Sequence, residues 1–402
     1  MSSLKHKRWQ VLIASILINC CLGTYYAWSI FAAGYMDLFH WPADKLTIVF
    51  ILSALLGPVS MTIGGKMMDK YGVRIVILLA SILYSAGNFF CGVIESLPVL
   101  YVVYPATVTL GMSTVFNCTV NNSIKFFPEH RGLISGIVTT SIGGATIFIA
   151  PLVQMLIHTF HVQMTFRIIG IVSMVIMVVA SLFIRQAPEQ EVLNVPDRKM
   201  KREDKTVDKN WKEMLKTPLF YALVLMFLAG ATAGMMIASQ LAIMAQGIVK
   251  VTVAAAAAAV SVFSFMNAAG RVTCGILADR IGWRNVLIIM FLAILAGEAL
   301  LITSGYGTWI RFLIGISMVG ICYGGFIGIY PAITAENFGT KNQGTNYGIM
   351  FWGFAIGGLV GPQLTVSLGS IGSNPYIGGF IAAFVIAAAG LVISLFVKRQ
   401  KA

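Results

Sequence analysis

Runs of apolar residues, each long enough to cross a membrane, alternate with short polar segments along the whole chain. A helix rises about 1.5 Å per residue and satisfies its own backbone hydrogen bonds, so ~20 apolar residues cross a hydrocarbon core about 30 Å thick. The sequence contains twelve such runs, at residues 9–36, 45–67, 73–94, 98–124, 132–158, 165–184, 218–243, 252–277, 285–304, 308–334, 344–368 and 374–397. The pattern predicts an all-α membrane protein with twelve transmembrane helices.

The longest polar segment, residues 185–216, divides the twelve predicted helices into six and six. Its sequence is RQAPEQEVLNVPDRKMKREDKTVDKNWKEMLK, in which charged residues are frequent and apolar ones are few. The segment predicts a cytoplasmic linker between an N-terminal six-helix bundle, residues 1–184, and a C-terminal six-helix bundle, residues 217–402.

The composition supports a membrane protein, and the motif content argues against an enzyme. Of the 402 residues, 58% are hydrophobic and only 11% are charged, whereas ordinary globular proteins have about 25% charged residues. The six cysteines all fall within predicted helices without a CxxC pair, which is typical of small buried apolar residues. The sequence has no Ser/His/Asp, metal-ligand or phosphate-loop pattern, so neither an enzyme nor a cofactor is expected.

The positive charge is concentrated on one side of the predicted membrane. The net charge is +13, but 23 Lys and Arg lie on the side that contains both termini and only four on the other side. This asymmetry follows the positive-inside rule and places both termini in the cytoplasm, so no nucleic-acid partner is expected. Short loops and the absence of a cleavable signal indicate a bacterial plasma (inner) membrane. One basic residue, Arg271, belongs to neither side.

An internal repeat relates the two halves of the chain. The segment GKMMDKYGVR recurs as GILADRIGWR at an offset of 210 residues. The paired residues are Gly65, Asp69, Lys70, Gly72 and Arg74 in the first copy and Gly275, Asp279, Arg280, Gly282 and Arg284 in the second. A second echo matches Gly132 and Gly136 to Gly344 and Gly348 at an offset of 212. Two six-helix halves of one design are typical of a transporter with its binding site between them, near the bilayer midplane.

The repeated G-x-x-x-D-[RK]-x-G-x-[RK] loop resembles motif A of the major facilitator superfamily. More narrowly, the segments GTYYAWSIF, ATAGMMIASQ, NAAGR, GICYGGF and FGTKNQGTNYGIMF resemble the oxalate/formate antiporter family of that superfamily. The resemblance implies the major facilitator fold and a cytoplasmic gate formed by the motif. In this interpretation Arg74 and Arg284 are the expected partners of the aspartates. The alternative is that these residues are solvated loop charges that only set the topology.

Arg271 is the main candidate for substrate binding. A charge at membrane depth is costly, so it must face protein or water rather than lipid. Asn267 lies one helical turn before it, and the planar guanidinium matches a carboxylate. Glu298 is the only acid inside a predicted helix, and we expect it to pair with Arg311 or to reach outward. The resemblance agrees, because that family has a substrate-binding arginine in helix 8 and Arg271 matches it.

Further candidates line the same predicted cavity. The resemblance implies aromatic walls, for which the candidates are Tyr25, Tyr26, Trp28, Tyr323 and Trp352. The amides of Asn117 and Asn121, which share one helix face, and of Gln240 could also bind the substrate. Packing, interfacial positions and interhelical hydrogen bonds explain these residues equally well.

A departure from the family pattern restricts the expected substrate. Family members that carry oxalate have a second cation, a lysine in helix 11, whereas residues 344–368 contain no Lys or Arg. One fixed charge suits a monocarboxylate such as formate, lactate or pyruvate, and makes oxalate a less fitting substrate. The cavity helices supply no acid at membrane depth, which favours anion exchange or uniport over proton coupling.

Two alternatives remain at this stage: a proton-coupled monocarboxylate symporter, and a membrane sensor built on a carrier fold. A sensor should carry a sizeable soluble domain, and the sequence shows only the short linker. The expected partners of a carrier are a small carboxylate and the lipid bilayer, and we expect it to act as a monomer.

Overall fold

The computed structural model describes residues 2–187, 208–368 and 376–397, and these residues form helices and no strands. The α-helices are α1 Ser2–Leu22, α2 Trp28–Phe39, α3 Ala43–Tyr71, α4 Val73–Cys91, α5 Leu97–Val103, α6 Leu110–Phe126, α7 Arg131–Phe183, α8 Trp211–Leu215, α9 Pro218–Met244, α10 Val253–Ile281, α11 Trp283–Ile302, α12 Trp309–Phe338, α13 Gln343–Met350, α14 Trp352–Ser367 and α15 Ile377–Phe396. The all-α prediction is confirmed. Most of the linker lies outside the described residues.

Each of the twelve predicted transmembrane helices has a counterpart in the structure. Among the described residues, nine helices are long and apolar enough to cross a membrane, or ten if the bent pair Lys7–Tyr25 and Trp28–Phe39 is one span. One of the nine, Pro128–Phe183, is 56 residues long and is interrupted at His161, where φ is 60°, so it carries two predicted helices. The predicted helix at 344–368 is formed by α13 and α14.

The first and fourth predicted helices are both interrupted, and the two interruptions lie against each other. Between α1 and α2 the chain forms a tighter 3-10 turn, Gly23–Ala27, and between α5 and α6 it forms a wider π-helical turn, Tyr104–Thr109. Pro105 lacks an N–H to donate, which accounts for the local widening. The ring of Tyr104 lies 4.5 Å from that of Trp28 and 6.3 Å from that of Tyr25, centroid to centroid.

The repeated glycines end two helices at equivalent places. Gly72 follows α3 with φ 89° and Gly282 follows α10 with φ 84°. A positive φ is costly for residues with a Cβ, and no atom within 4 Å would obstruct a Cβ at Gly282, so backbone conformation rather than space requires glycine there. Each glycine donates its N–H to the helix that it ends, to Met68 O and Ala278 O respectively.

The chain divides into two compact units. Unit 1 draws on Met1–Glu129, Ile137–Lys201 and Gly339–Ile349, and unit 2 on His130–Gly136, Arg202–Phe338 and Met350–Ala402. Each unit therefore includes one short segment from the other half of the sequence. These two segments begin α13 and α7, and they carry the glycines of the second sequence echo.

Candidate functional site

In unit 1, the first motif A aspartate binds the start of α13. Asp69 Oδ2 accepts hydrogen bonds from the backbone N–H of Thr345 at 3.2 Å and from its hydroxyl at 2.8 Å. The first N–H groups of a helix have no partner within the helix, and the positive end of the helix dipole favours an anion there. Asp69 therefore caps a helix that lies 276 residues later in the chain.

In unit 2, the second motif A aspartate binds the start of α7. Asp279 Oδ1 accepts from Gly132 N at 2.8 Å and Oδ2 from Leu133 N at 2.9 Å. Both carboxylate oxygens are thus engaged by backbone donors of the first helical turn. We call the Asp69–Thr345 contact the unit 1 latch and the contact of Asp279 with Gly132 and Leu133 the unit 2 latch.

The glycines of the two sequence repeats meet at these latches. A Cβ added to Gly65 would overlap Gly344 O, and one added to Gly275 would overlap Gly132 O. Only glycine allows the backbones to approach this closely. Gly65 of the first motif A copy thus contacts Gly344 in unit 1, and Gly275 of the second copy contacts Gly132 in unit 2.

The partners of the aspartates differ from the predicted ones. Arg284 bonds to the carbonyls that end α15 and not to Asp279. Its Nε donates to Ser394 O at 3.2 Å, and its Nη2 donates to Leu395 O at 2.5 Å. Arg74 and Arg280 are exposed, and the Lys70 ammonium lies 4.9 Å from the centroid of the Tyr71 ring. The sequence did not single out Thr345 as a partner of Asp69. The glycine echo next to it was the available signal.

Arg271 is buried on α10, with only 5% of its surface exposed. Its Nε donates to Asn267 Oδ1 at 3.3 Å, one turn earlier. The amide nitrogen of Asn267 is buried beside it and has no acceptor among the described residues. A guanidinium, whose nitrogens are all donors, and the amide nitrogen of Asn267 therefore lie together on one helix face, which suits an anion.

Glycines on two neighbouring helices enclose the backbone that carries these two side chains. On α12, a Cβ at Gly324 would overlap Asn267 O, and one at Gly328 would lie 2.6 Å from Arg271 O. On α7, a Cβ at Gly136 would also overlap Arg271 O. This close packing fixes the position from which the arginine extends.

The aromatic candidates lie in separate surroundings. In unit 2, the Tyr323 ring stacks on Phe354 with centroids 5.9 Å apart and on Phe263 at 6.3 Å. Trp352, the first residue of α14, is 36% exposed, and Gln240 is half-buried on α9. In unit 1, Trp28 is buried against Tyr104. Tyr26 belongs to the 3-10 turn, and its side chain lies outside what the structure describes.

Asn117 and Asn121 are both fully buried on α6 in unit 1. The Asn117 amide donates to Met61 O at 2.6 Å and to Gly344 O at 2.9 Å. The Asn121 amide donates to Asn117 O at 2.8 Å. The two amide nitrogens are therefore engaged by carbonyls of this protein, which favours interhelical bonding over substrate contact.

The expectation for Glu298 is wrong. Its side chain is fully buried on α11, and neither carboxyl oxygen accepts a hydrogen bond from any residue that the structure describes. Arg311 donates instead to Thr303 O at 2.9 Å. Gly297 and Gly315 let α11 and α12 approach closely, so the segment that carries Glu298 packs within the protein and the side chain does not reach outward.

Replacing this buried carboxyl by an apolar side chain is expected to stabilise the protein. A buried polar group without a hydrogen bond costs about 1–3 kcal/mol, so Glu298→Leu should raise the melting temperature of the purified protein. Glu298→Gln, which keeps a polar group in place, should give a smaller change. A lower melting temperature for Glu298→Leu would show that the carboxyl has a stabilising partner.

No group of three or more His, Cys, Asp or Glu side chains that could hold a metal ion occurs within residues 2–187, 208–368 and 376–397.

Comparison with known proteins gives a consistent family match. The family model described as Major Facilitator Superfamily matches residues 13–249 and again residues 227–402. The uncharacterized MFS-type transporter YhjX of Escherichia coli (strain K12) is 29% identical over 89% of this chain and 87% of its own. The oxalate:formate antiporter of Oxalobacter formigenes is 24% identical over 97% of this chain and 94% of its own.

A solved structure has the same fold. The crystal structure of the major facilitator superfamily transporter FucP in the outward conformation aligns with a TM-score of 0.74, over 98% of this chain and 99% of that one. The two sequences are 16% identical, so the match concerns the fold alone.

Proposed function

The chain belongs to the major facilitator superfamily, and from this premise we propose that it carries small organic anions by alternating access. Family membership makes it a multi-pass membrane transporter rather than an enzyme. The proposal adds the class of substrate, the side chains that bind it and the way the inner gate is held.

The pair formed by Arg271 and Asn267 is the observation that carries the proposal. The Arg271 guanidinium lies beside the Asn267 amide, whose nitrogen is buried and has no acceptor among the described residues. A carboxylate offers two acceptor oxygens in one plane and can accept from both groups. The oxalate:formate antiporter of Oxalobacter formigenes is named for two carboxylates, which supports the same chemistry here.

We propose a monocarboxylate such as formate, lactate or pyruvate rather than oxalate. Residues 344–368 supply no Lys or Arg, and within them Phe354 packs on Tyr323 and Phe227. An apolar aromatic cluster does not stabilise a second negative charge. One fixed positive charge therefore suits a substrate with one carboxylate.

In this proposal the bundles 1–184 and 217–402 rock about the bound anion, and the two latches hold the cytoplasmic side closed. The charge asymmetry of the sequence supports the further proposal that both termini, and with them the latches, lie on the cytoplasmic side of a bacterial inner membrane. Anion exchange or uniport fits best, because the bound anion itself neutralises the arginine. We further propose that one chain is the functional unit.

A thermal-shift panel on the purified protein tests the substrate class. A ligand that binds only the folded state stabilises it by about 2.7 kcal/mol at 100 times its Kd, so formate, lactate or pyruvate should raise the melting temperature. Oxalate and succinate should raise it less, and chloride at equal ionic strength should not. The same panel on Arg271→Gln should show no shift. Stabilisation by dicarboxylates alone would contradict the monocarboxylate proposal.

A further inference from the structure

The crossing of α3 and α13 in unit 1 is a contact between backbones. A Cβ on Gly344 would lie 2.6 Å from Met68 Cε, and one on Gly348 would lie 2.6 Å from Thr62 N. The same Cβ on Gly344 would lie 2.9 Å from Gly65 Cα. Because so few side chains separate these helices, polar groups that bond directly to the two backbones can decide whether the crossing stays closed.

Asn117 on α6 bonds to both backbones at this crossing. Its amide nitrogen donates one hydrogen to Met61 O of α3 and the other to Gly344 O of α13. The two acceptors are carbonyl oxygens, so the amide must present its nitrogen to them. One side chain therefore ties α3 to α13 with both of its N–H groups.

Asn121 holds the other end of the Asn117 amide. Its nitrogen donates to Asn117 O at 2.8 Å and also to the Asn117 side-chain oxygen. That second bond engages the oxygen of the Asn117 amide and so orients its nitrogen toward the crossing. The i, i+4 spacing of the two asparagines serves this orientation.

Asn117 and Asp69 both bond to the start of α13, one as a hydrogen-bond donor and the other as an acceptor. Asp69 accepts from the N–H and hydroxyl of Thr345, whereas Asn117 donates to the carbonyl of the preceding residue, Gly344. We propose that Asn117 is a positioning residue of the cytoplasmic gate: it stabilises the closed crossing of α3 and α13, and it does not bind substrate. This inference rests on the alternating-access part of the proposed function.

Among the described residues, this arrangement belongs to unit 1 and is not repeated in unit 2. The residue that corresponds to Asn117 at the repeat offset of 210 is Ile327, which is buried and apolar. In unit 2 the segment that starts α7 is held by the two carboxylate oxygens of Asp279. The proposal therefore makes the two latches unequal, with an additional amide in unit 1.

A cysteine reporter can measure opening of this crossing without any substrate. Met68 is 4% exposed and its Cε lies against Gly344, so Met68→Cys should react slowly with a polar maleimide while the crossing is closed. Adding Asn117→Leu should raise the labelling rate about tenfold, because both hydrogen bonds are lost. Adding Asn121→Leu should raise it about threefold, since it removes only the orienting bonds.

Asn19 supplies a matched control. It is also fully buried, and its amide also donates twice, to Ser15 O at 2.7 Å and to Thr119 Oγ1 at 2.8 Å. Asn19→Leu should lower the melting temperature as much as Asn117→Leu and leave reporter labelling within about twofold. Labelling of the native cysteines is measured in the protein that retains Met68, and this background is subtracted.

Two results would overturn the proposal. The first is a labelling rate that changes in neither Asn117→Leu nor Asn121→Leu, and the second is a rise in Asn19→Leu as large as the rise in those variants. If Asn117→Leu does not fold, Asn121→Leu and its comparison with Asn19→Leu still decide. Because labelling requires no anion, its outcome is independent of the thermal-shift panel. If labelling changes as expected but no carboxylate raises the melting temperature, the anion assignment is refuted and the role of Asn117 stands.

Discussion

Arg271→Gln is expected to abolish counterflow of labelled formate or lactate in proteoliposomes while the protein remains folded and inserted. Removing one partner of a buried, hydrogen-bonded charge pair costs about 2–5 kcal/mol, which corresponds to a loss of roughly thirtyfold or more. Because glycines on α12 and α7 fix the backbone around Arg271, the shorter neutral side chain should disturb the helix packing little.

Two further variants sharpen this result. Arg271→Lys keeps the charge but loses the planar fork that matches a carboxylate, so counterflow should fall by about tenfold or more. Arg311→Gln is the matched control, since that arginine donates to the Thr303 carbonyl in the turn between α11 and α12, and it should transport normally. Unchanged counterflow in Arg271→Gln would contradict the assignment of Arg271 to the substrate site.

Asp279→Asn is expected to reduce the initial rate of counterflow by about tenfold or more. The carboxylate accepts from two backbone N–H groups, and hydrogen bonds to charged groups contribute about 1.5–3 kcal/mol. An asparagine has one acceptor oxygen and would turn an N–H₂ group toward the remaining backbone donor. The closed inner gate should lose population, and a carrier that cannot close on one side cannot complete its cycle.

Asp69→Asn should have a smaller effect than Asp279→Asn, because Asn117 still holds Gly344 in unit 1. Asp44→Asn is the control, since Asp44 is exposed in the first turn of α3 and belongs to neither latch. Initial rates at saturating and limiting substrate separate the steps. A gate defect lowers the maximal rate, and an effect confined to the apparent affinity would contradict a gating role for these aspartates.

The fold and the two motif A aspartates could be identified from the sequence, because each produces a pattern that is visible in the sequence alone. Apolar runs of membrane length report helices, and the offset of 210 between the copies of motif A reports two related halves. The positive φ of Gly72 and Gly282 explains why the repeat keeps glycine at those positions. The burial of Arg271 agrees with the position that its chemistry required.

The contact partners could not be read in this way. The bond of Asn117 to Gly344 joins residues 227 positions apart, and its acceptor is a carbonyl that any residue would supply. The side chain alone therefore could not distinguish a substrate ligand from a clamp. The burial of Glu298, like the close approach of α11 and α12 at the adjacent Gly297, is a property of packed helices and not of one segment.

The main-chain partners of Asp279 have an evolutionary consequence. Every residue except proline offers an N–H, so Leu133 can change to most other residues without removing the hydrogen bond that Asp279 accepts from it. Covariation between the aspartate and that position should therefore be weak, even though they touch. Among large sets of sequences, this latch should be visible as exclusion of proline at position 133 rather than as a pair of residues that change together.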